Sequence, residues 1–452
     1  MLPEESKEEL LAKASKPAEK AIKLHLFYRG KMQTILKCAV RDLNDFAIWY
    51  TPGVAEPCKA IKKDKEKVYE FTNKWNTVAV VSDGSRVLGL GDIGAEASMP
   101  VMEGKALLFK YLGGVDAVPI CLDTKNPDEI IQAVKWLQPS FGGINLEDIS
   151  SPKCFYILDT LRKEMDIPVW HDDQQGTAVV TLAGLVNALK IVGKKKEKVS
   201  LVIIGVGAAN IAIARILFAN GFKPENTIFV DSNATLHAGR TDIEEKQAEN
   251  PYKWELCQKT NPEKRAGSIR EALKGADVCI SLSKSGPNII KPEWVKAMSR
   301  EAIVFACANP IPEIWPWEAK EAGAKIVATG RSDFPNQVNN SIGFPGIFRG
   351  VLDVRAKTIT DEMCIAAAYE LAKCAEEKGI REDYIIPTMA ETEVFIREAV
   401  AVGMKAIEQG VAQEKLSRDE LAKRAEKMIK EAKEATNLLM KAGLIPPAPE
   451  VT

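Results

Sequence analysis

The chain has 452 residues, 46% of them hydrophobic and 27% charged, with a formal net charge of -1 at pH 7. That length predicts two or three domains with sizeable cores, and the balance excludes a disordered chain. Near-zero charge excludes a general attraction to nucleic acid or anionic lipid, so any phosphate must be gripped by local groups.

Nine scattered cysteines with no CxxC pair predict free thiols in a reducing compartment, most of them acting as small buried hydrophobes. The start, MLPEESKEELLAKASK, alternates acids and bases without a signal-peptide core, so a cytoplasmic location is expected. The most apolar run, Leu201 to Phe218, is interrupted by two glycines, Asn210 and Arg215, and predicts a buried strand and helix rather than a membrane span.

In chain order, Thr77–Ser82 predicts a strand, Ala97–Tyr111 a helix, Ala117–Leu122 a strand and Pro127–Leu137 a helix. A second set follows: a helix over Gly176–Val192, a strand over Val199–Gly205, a helix over Ala208–Asn220 and a strand over Thr227–Asp231. Further strands are predicted at Val278–Leu282, Ile303–Ala306 and Lys325–Ala328. Alternation of this kind predicts two doubly wound α/β domains with parallel sheets. The expected division is 1–172, 173–344 and a helical segment 345–452. The late charged stretch LSRDELAKRAEKMIKEAKEATNLLMKAG suits an amphipathic packing or dimer-contact helix, or a helix with one solvated face.

Two acid pairs stand out, Glu147-Asp148 in NLEDI and Asp172-Asp173 in HDDQQGTA. Carboxylates from separate loops can cage a hard divalent cation, and without Cys/His spacing the set suits magnesium or manganese. Taken alone, such pairs also serve as helix N-terminal acids.

The glycine turn GVGAAN follows an apolar strand and opens a helix. Gly205 and Gly207 would let backbone amides of the turn approach a pyrophosphate at the helix N-terminus, the pattern of a Rossmann-like dinucleotide site. Asn210 replaces the third glycine. Asp231 ends the next predicted strand, where a carboxylate would accept the ribose hydroxyls of NAD and repel a 2'-phosphate; Lys264, Arg265 or Arg240 could compensate.

Three further side chains carry possible chemistry. Tyr50 precedes a Thr-Pro-Gly turn that could present its phenol as a proton donor or simply pack it. Lys105 lies early in an apolar helix, where burial and a nearby cation would depress its pKa and make it a base; otherwise it snorkels. Arg86 offers a fork for a carboxylate, or pairs with Asp83 or Asp92. His25, His171 and His237 show no triad partner, and His171 is expected to support the acids rather than to catalyse.

YTPGVA, SDGSRVLGLGDIG, EGKALLFKYLGG, NLEDI, HDDQQGTA, GVGAAN, ANP and NQVNNSIGFPG occur in this order over roughly residues 45 to 350. Together they resemble the malic enzyme family, in its shorter prokaryotic-like form. The resemblance implies oxidative decarboxylation of L-malate to pyruvate and carbon dioxide, with NAD or NADP as coenzyme and Mg2+ or Mn2+ as metal. It implies Tyr50 as general acid, Lys105 as general base, and Glu147, Asp148 and Asp173 as metal ligands supported by Asp172. Arg86 and Asn340 would contact the substrate, and Asn309 would lie between substrate and nicotinamide ribose. Gly205, Val206, Gly207, Ala208 and Ala209 would hold the pyrophosphate. A small-molecule substrate, no nucleic-acid or membrane partner, and a dimer or dimer of dimers are expected. Malolactic or oxaloacetate-decarboxylating chemistry on the same site is the nearest alternative. A non-enzymatic nicotinamide-binding regulator would be expected to lack the intact Tyr50, Lys105 and acid set.

Overall fold

A computed structural model describes residue 17 and residues 20–450. The charged start read above as lacking a signal peptide lies outside the described residues.

Two parallel sheets organise the chain. The first contains β1 (Thr77–Ser82), β2 (Asp116–Cys121), β3 (Gly143–Leu146) and β4 (Val169–His171) in the order β2-β1-β3-β4. The second contains β5 (Leu201–Ile204), β6 (Thr227–Val230), β7 (Val278–Ser281), β8 (Ala302–Ala306) and β9 (Ala324–Thr329) in the order β6-β5-β7-β8-β9. The two α/β sheets match the expected fold class, and the predicted strands and helices lie within about two residues of those observed. β3 and β4 are additions: VWH has only three residues, and GINL, with Gly143 and Asn145, is not a continuous apolar run.

Because parallel strands are covered on both faces, their sequences are apolar throughout rather than alternating. Val78 and Val80 of β1 face a large core cluster, while Ala79 and Val81 face a separate one. In β5, Leu201 and Ile203 face that same large cluster, and Val202 and Ile204 a third. The large cluster thus runs between the sheets, and the helix Thr177–Val192 lies inside it. A helix buried on all sides is apolar all round. By length and composition the stretch Asp172–Val192 could cross a membrane, yet 72% of it is buried inside the protein.

The C-terminal helices return to both sheets. Asp361–Glu377 packs on Thr177–Val192, and Arg418–Lys441 packs on the helix Ala95–Gly113 of the first sheet. Gly114 permits the approach of Arg418–Lys441, since a Cβ there would come within 2.6 Å of Met428 O, and Gly113 that of the helix Phe344–Asp353, where a Cβ would come within 2.7 Å of Pro345 O. Arg418–Lys441 buries Leu421, Ala425, Ile429 and Ala432, one stripe of an amphipathic helix, and leaves its charged face to solvent.

Glu398, on the helix Thr392–Glu408, is fully buried, and neither carboxyl oxygen has a hydrogen-bond partner. Burial pushes its pKa well above the usual carboxylate range. The folded protein therefore binds this proton more tightly than the unfolded chain does. Its stabilising contribution is complete below the unfolded value of about 4.3 and declines as pH rises toward the folded value. Glu398→Gln, which has no charge to acquire, should gain on the wild type as pH rises, by up to about 1.4 kcal/mol per pH unit. Urea unfolding of both proteins from pH 5 upward reads this difference directly; a constant gap would show that Glu398 is already ionised.

Candidate active site

In an open α/β sheet, ligands settle outside the carboxyl ends of strands where the winding direction reverses. That point falls between β1 and β3 in the first sheet and between β5 and β7 in the second. Both open on one cleft of about 1080 Å3. From the first sheet it is lined by the loop after β1 (Arg86–Gly91), the residues after β3 (Glu147–Ser151) and Asp173 after β4. The second contributes Gly207–Ala209 after β5, Leu282–Ser285 after β7 and Cys307–Asn309 after β8. The two sides nearly touch at Gly89, where an added Cβ would lie 3.0 Å from Asn309 O.

The acids meet as a cluster: one ligand atom from each of Glu147, Asp148 and Asp173 lies within 4.8 Å of the others. Asp148 adopts a left-handed backbone (φ 55), a conformation that Asp and Asn tolerate better than most residues. In that conformation its N–H donates to Asp173 Oδ2 at 2.8 Å, and its carbonyl accepts the Arg86 N–H at 2.9 Å. Burial and then the charge of Asp173 push the Asp148 carboxyl up to about 8. Glu147 is raised well above its ordinary value, chiefly by burial. Asp148 Oδ2 is buried with no hydrogen-bond partner. A tight set of oxygen ligands, one of them orphaned and mutually repelling without a cation, fits a hard divalent ion.

Lys105 is buried beside this cluster, its Nζ 2.5 Å from Asp172 Oδ2 and 3.0 Å from Glu147 Oε1. The Phe344 ring lies 4.2 Å beneath the ammonium. Asp172 Oδ1 accepts the Trp170 indole N–H at 3.0 Å, so the carboxylate that holds Lys105 is itself held. A single π turn, Asp172–Gly176, aims these groups, and Gly176 is required because a Cβ would clash with Asp172 Oδ1 at 2.1 Å. The depressed lysine pKa expected from burial is not found. Burial does pull it down, but Asp172 and Glu147 outweigh this and raise it.

Arg86 is not consumed by the acids of its own loop. Asp83 pairs with Lys153 and Asp92 with Lys125, which leaves the exposed Arg86 side chain lining the cleft. Asn309 and Asn340 also line it. His171 is buried with Nδ1 3.6 Å from Asp173 Oδ2; burial pulls its pKa below the ordinary value.

Tyr50 is not brought to the cleft. It is 72% exposed and is absent from the cleft lining. Elsewhere in the N-terminal segment Leu26 is 77%, Leu36 75% and Leu43 83% exposed.

The glycine turn has two distinct requirements. Gly205 has φ 99, and a Cβ there would meet Leu282 O at 2.8 Å, so the protein itself needs this glycine. Gly207 would meet nothing within 4 Å, which leaves room for a ligand to approach the backbone at the start of the helix Ala208–Ala219. Asn210 staples the turn, its amide donating to Ile204 O at 2.8 Å and Gly205 O at 3.0 Å. This cradle fits a dinucleotide pyrophosphate. Asp231, however, is already saturated. Asn233 and Ala234 amides and Arg240 Nη1 reach Oδ1, while Arg240 Nη2 and Lys253 Nζ reach Oδ2. The expected acceptance of ribose hydroxyls therefore meets oxygens that are taken.

Two groups were not singled out from the sequence. Lys31 lines the cleft from the N-terminal segment, its Nζ donating to Pro100 O at 2.9 Å. Fully buried Glu313 accepts from Ser281 Oγ (2.7 Å), Ser283 N (2.9 Å) and Ala308 N (3.1 Å), tying the loops after β7 and β8 together. The acid that closes ANPIPE, three residues after ANP, was the available signal.

Two sheets that share a cleft, one offering an acid and lysine cluster and the other a glycine cradle, define a dinucleotide-dependent oxidoreductase. The family model for the malic enzyme N-terminal domain matches residues 29–162, and that for the malic enzyme NAD binding domain matches residues 174–407. The chain belongs to the malic enzyme family. It is 54% identical to the NAD-dependent malic enzyme of Geobacillus stearothermophilus, over 85% of this chain and 78% of that protein. It is 48% identical to the bifunctional malic/malolactic enzyme of Bacillus subtilis, over 91% of this chain and 98% of that one. The crystal structure of Entamoeba histolytica malic enzyme superposes with a TM-score of 0.95 at 51% identity, covering 99% of this chain and 94% of that chain.

Proposed function

We propose that this enzyme converts L-malate to pyruvate and carbon dioxide while reducing NAD or NADP, in a Mg2+- or Mn2+-dependent site of a cytoplasmic homo-oligomer. The observation that carries this reading is the single cleft onto which the acid cluster, Lys105 and the glycine cradle all open. Glu147, Asp148 and Asp173 would hold the cation, and the amides of Gly205–Ala209 the dinucleotide. When bound, the cation supplies charge that polarises the C2 oxygen and stabilises the negative charge left by departing carbon dioxide, and the dinucleotide supplies the hydride acceptor.

This chain's own residues do the rest. Arg86 offers its guanidinium to a malate carboxylate, and Asn340 lines the same cleft as a second polar contact. Lys105, neutral at the moment of reaction, takes the C2 hydroxyl proton at Nζ, and Asp172 keeps that nitrogen oriented. Tyr50 delivers a proton to C3 as pyruvate forms.

Because Tyr50 is exposed and outside the lining of its own cleft, we assign it to the cleft of a second copy in the proposed homodimer. Tyr50→Phe and Lys105→Ala proteins should each be nearly inactive, but after dissociation and reassembly together they should recover about a quarter of wild-type activity, since half the dimers are mixed and each carries one intact site. No recovery would place Tyr50 in the same subunit as its Lys105.

The Bacillus subtilis relative's name favours a second reading, conversion of malate to lactate with the coenzyme retained. Product analysis with L-malate and Mn2+ separates the two: pyruvate with free reduced coenzyme supports the first, lactate without it the second.

A further inference from the structure

The saturated Asp231 points to how the coenzyme is chosen. Asp231 directly follows β6, which pairs with β5 so that Ile204 faces Val230 and the Gly205 N–H donates to Val230 O at 2.8 Å. In this fold the end of the strand beside the glycine turn receives the adenosine ribose, where NAD carries a hydroxyl and NADP a phosphate. Two cations are present there. Arg240 grips Asp231 with both Nη atoms and Asp242 through Nε, and Lys253 reaches Asp231 Oδ2 at 2.7 Å from the helix Pro251–Lys259. Two acids and two bases cancel, and the carboxylate faces five donors, one more than its roughly four lone-pair sites, so none is left over. Arg265 also reaches this strand end, its carbonyl accepting Thr235 Oγ1 at 2.6 Å beside Val230, while its Nη2 donates to Glu271 O at 3.3 Å.

We propose that Asp231, Arg240 and Lys253 form an ion lock that selects NAD: Asp231 acts by occupying the two cations that would otherwise receive a 2'-phosphate, and not by hydrogen-bonding the ribose. A 2'-phosphate, carrying close to two negative charges, meets a saturated carboxylate whose two cations are already paired with it. Removing the carboxylate releases a guanidinium and an ammonium at that position, both suited to phosphate. The inference rests on the reading that the Gly205–Gly207 turn holds a dinucleotide.

Calorimetric titration of the full chain with NAD+, NADP+ and adenosine 2',5'-bisphosphate, without malate or metal, tests it independently of turnover. The wild type should bind NAD+ at least about tenfold more tightly than NADP+. Asp231→Ser should tighten NADP+ and the bisphosphate and reverse the ratio, and Asp231→Ser with Arg240→Ala should lose that gain. A wild type that binds NADP+ as tightly as NAD+, or a folded Asp231→Ser with an unchanged ratio, overturns the lock. If the serine variant fails to fold, Asp231→Asn keeps an oxygen for the Asn233 and Ala234 amides while removing the charge, and an unchanged ratio there overturns it equally. Failure of the wild type to bind either dinucleotide overturns the reading of the glycine turn, and the lock with it.

Discussion

Lys105→Ala should lower kcat for malate oxidation by about three orders of magnitude, the range in which a positioned base contributes, while leaving the dissociation constant of the dinucleotide unchanged. The base lies on the first sheet's side of the cleft and the glycine cradle on the second's. The substitution also leaves Asp172 and Glu147 buried without their ammonium, and breaking a buried pair in this way costs about 3–5 kcal/mol. A loss of activity could then reflect unfolding, and Lys105→Arg separates the two effects. Arginine restores the positive charge between the carboxylates but cannot surrender a proton near neutral pH, so this variant should remain folded and stay inactive. A Lys105→Arg protein with substantial turnover would remove Lys105 from the role of base.

The second large effect concerns the cation. Asp148→Asn retains the left-handed backbone at this position, because asparagine tolerates positive φ as well as aspartate does, and it removes one charged ligand. The wild type should melt at a higher temperature in Mn2+, with a gain of about 2.7 kcal/mol at one hundred times the dissociation constant. Asp148→Asn should show almost none of that shift at the same concentration, and its activity should require at least tenfold more metal, a loss comparable to or larger than removal of a supporting hydrogen bond. Thermal melts with and without Mn2+ measure this without any assay of turnover. An undiminished shift in Asp148→Asn would mean that the acid cluster is not where the ion sits.

The sheets were legible because buried parallel strands such as TVAVVS and LVII carry an apolar run that turns and helices interrupt. β3 and β4 were not, since Gly143 and Asn145 interrupt GINL and VWH has only three residues. Yet both are followed at once by an acid pair, and the site depends on that coincidence: two neighbouring strands end side by side and deliver Glu147, Asp148 and Asp173 together. The acids were therefore readable as a set while the reason for their convergence was not. Lys105 was found from its place in the helix Ala95–Gly113, but its electrostatic environment was misjudged, because the approach of Asp172 is fixed by a π turn with no sequence period. Tyr50 was recognisable only from its motif, and in this chain it is exposed and outside the cleft lining. Asp231 was placed at the correct strand end, but Lys253, twenty-two residues onward, gave no local sign of reaching it.

The helix Thr177–Val192 belongs to the interior of both halves at once. A protein whose lobes hang on a flexible strap can gape like a hinged shell, but here any such swing would tear apolar surface from this shared spine at about 25 cal/mol for every Å2 wetted. Sliding or twisting that keeps this surface covered escapes that cost, so the shared apolar core favours such movements over wide opening.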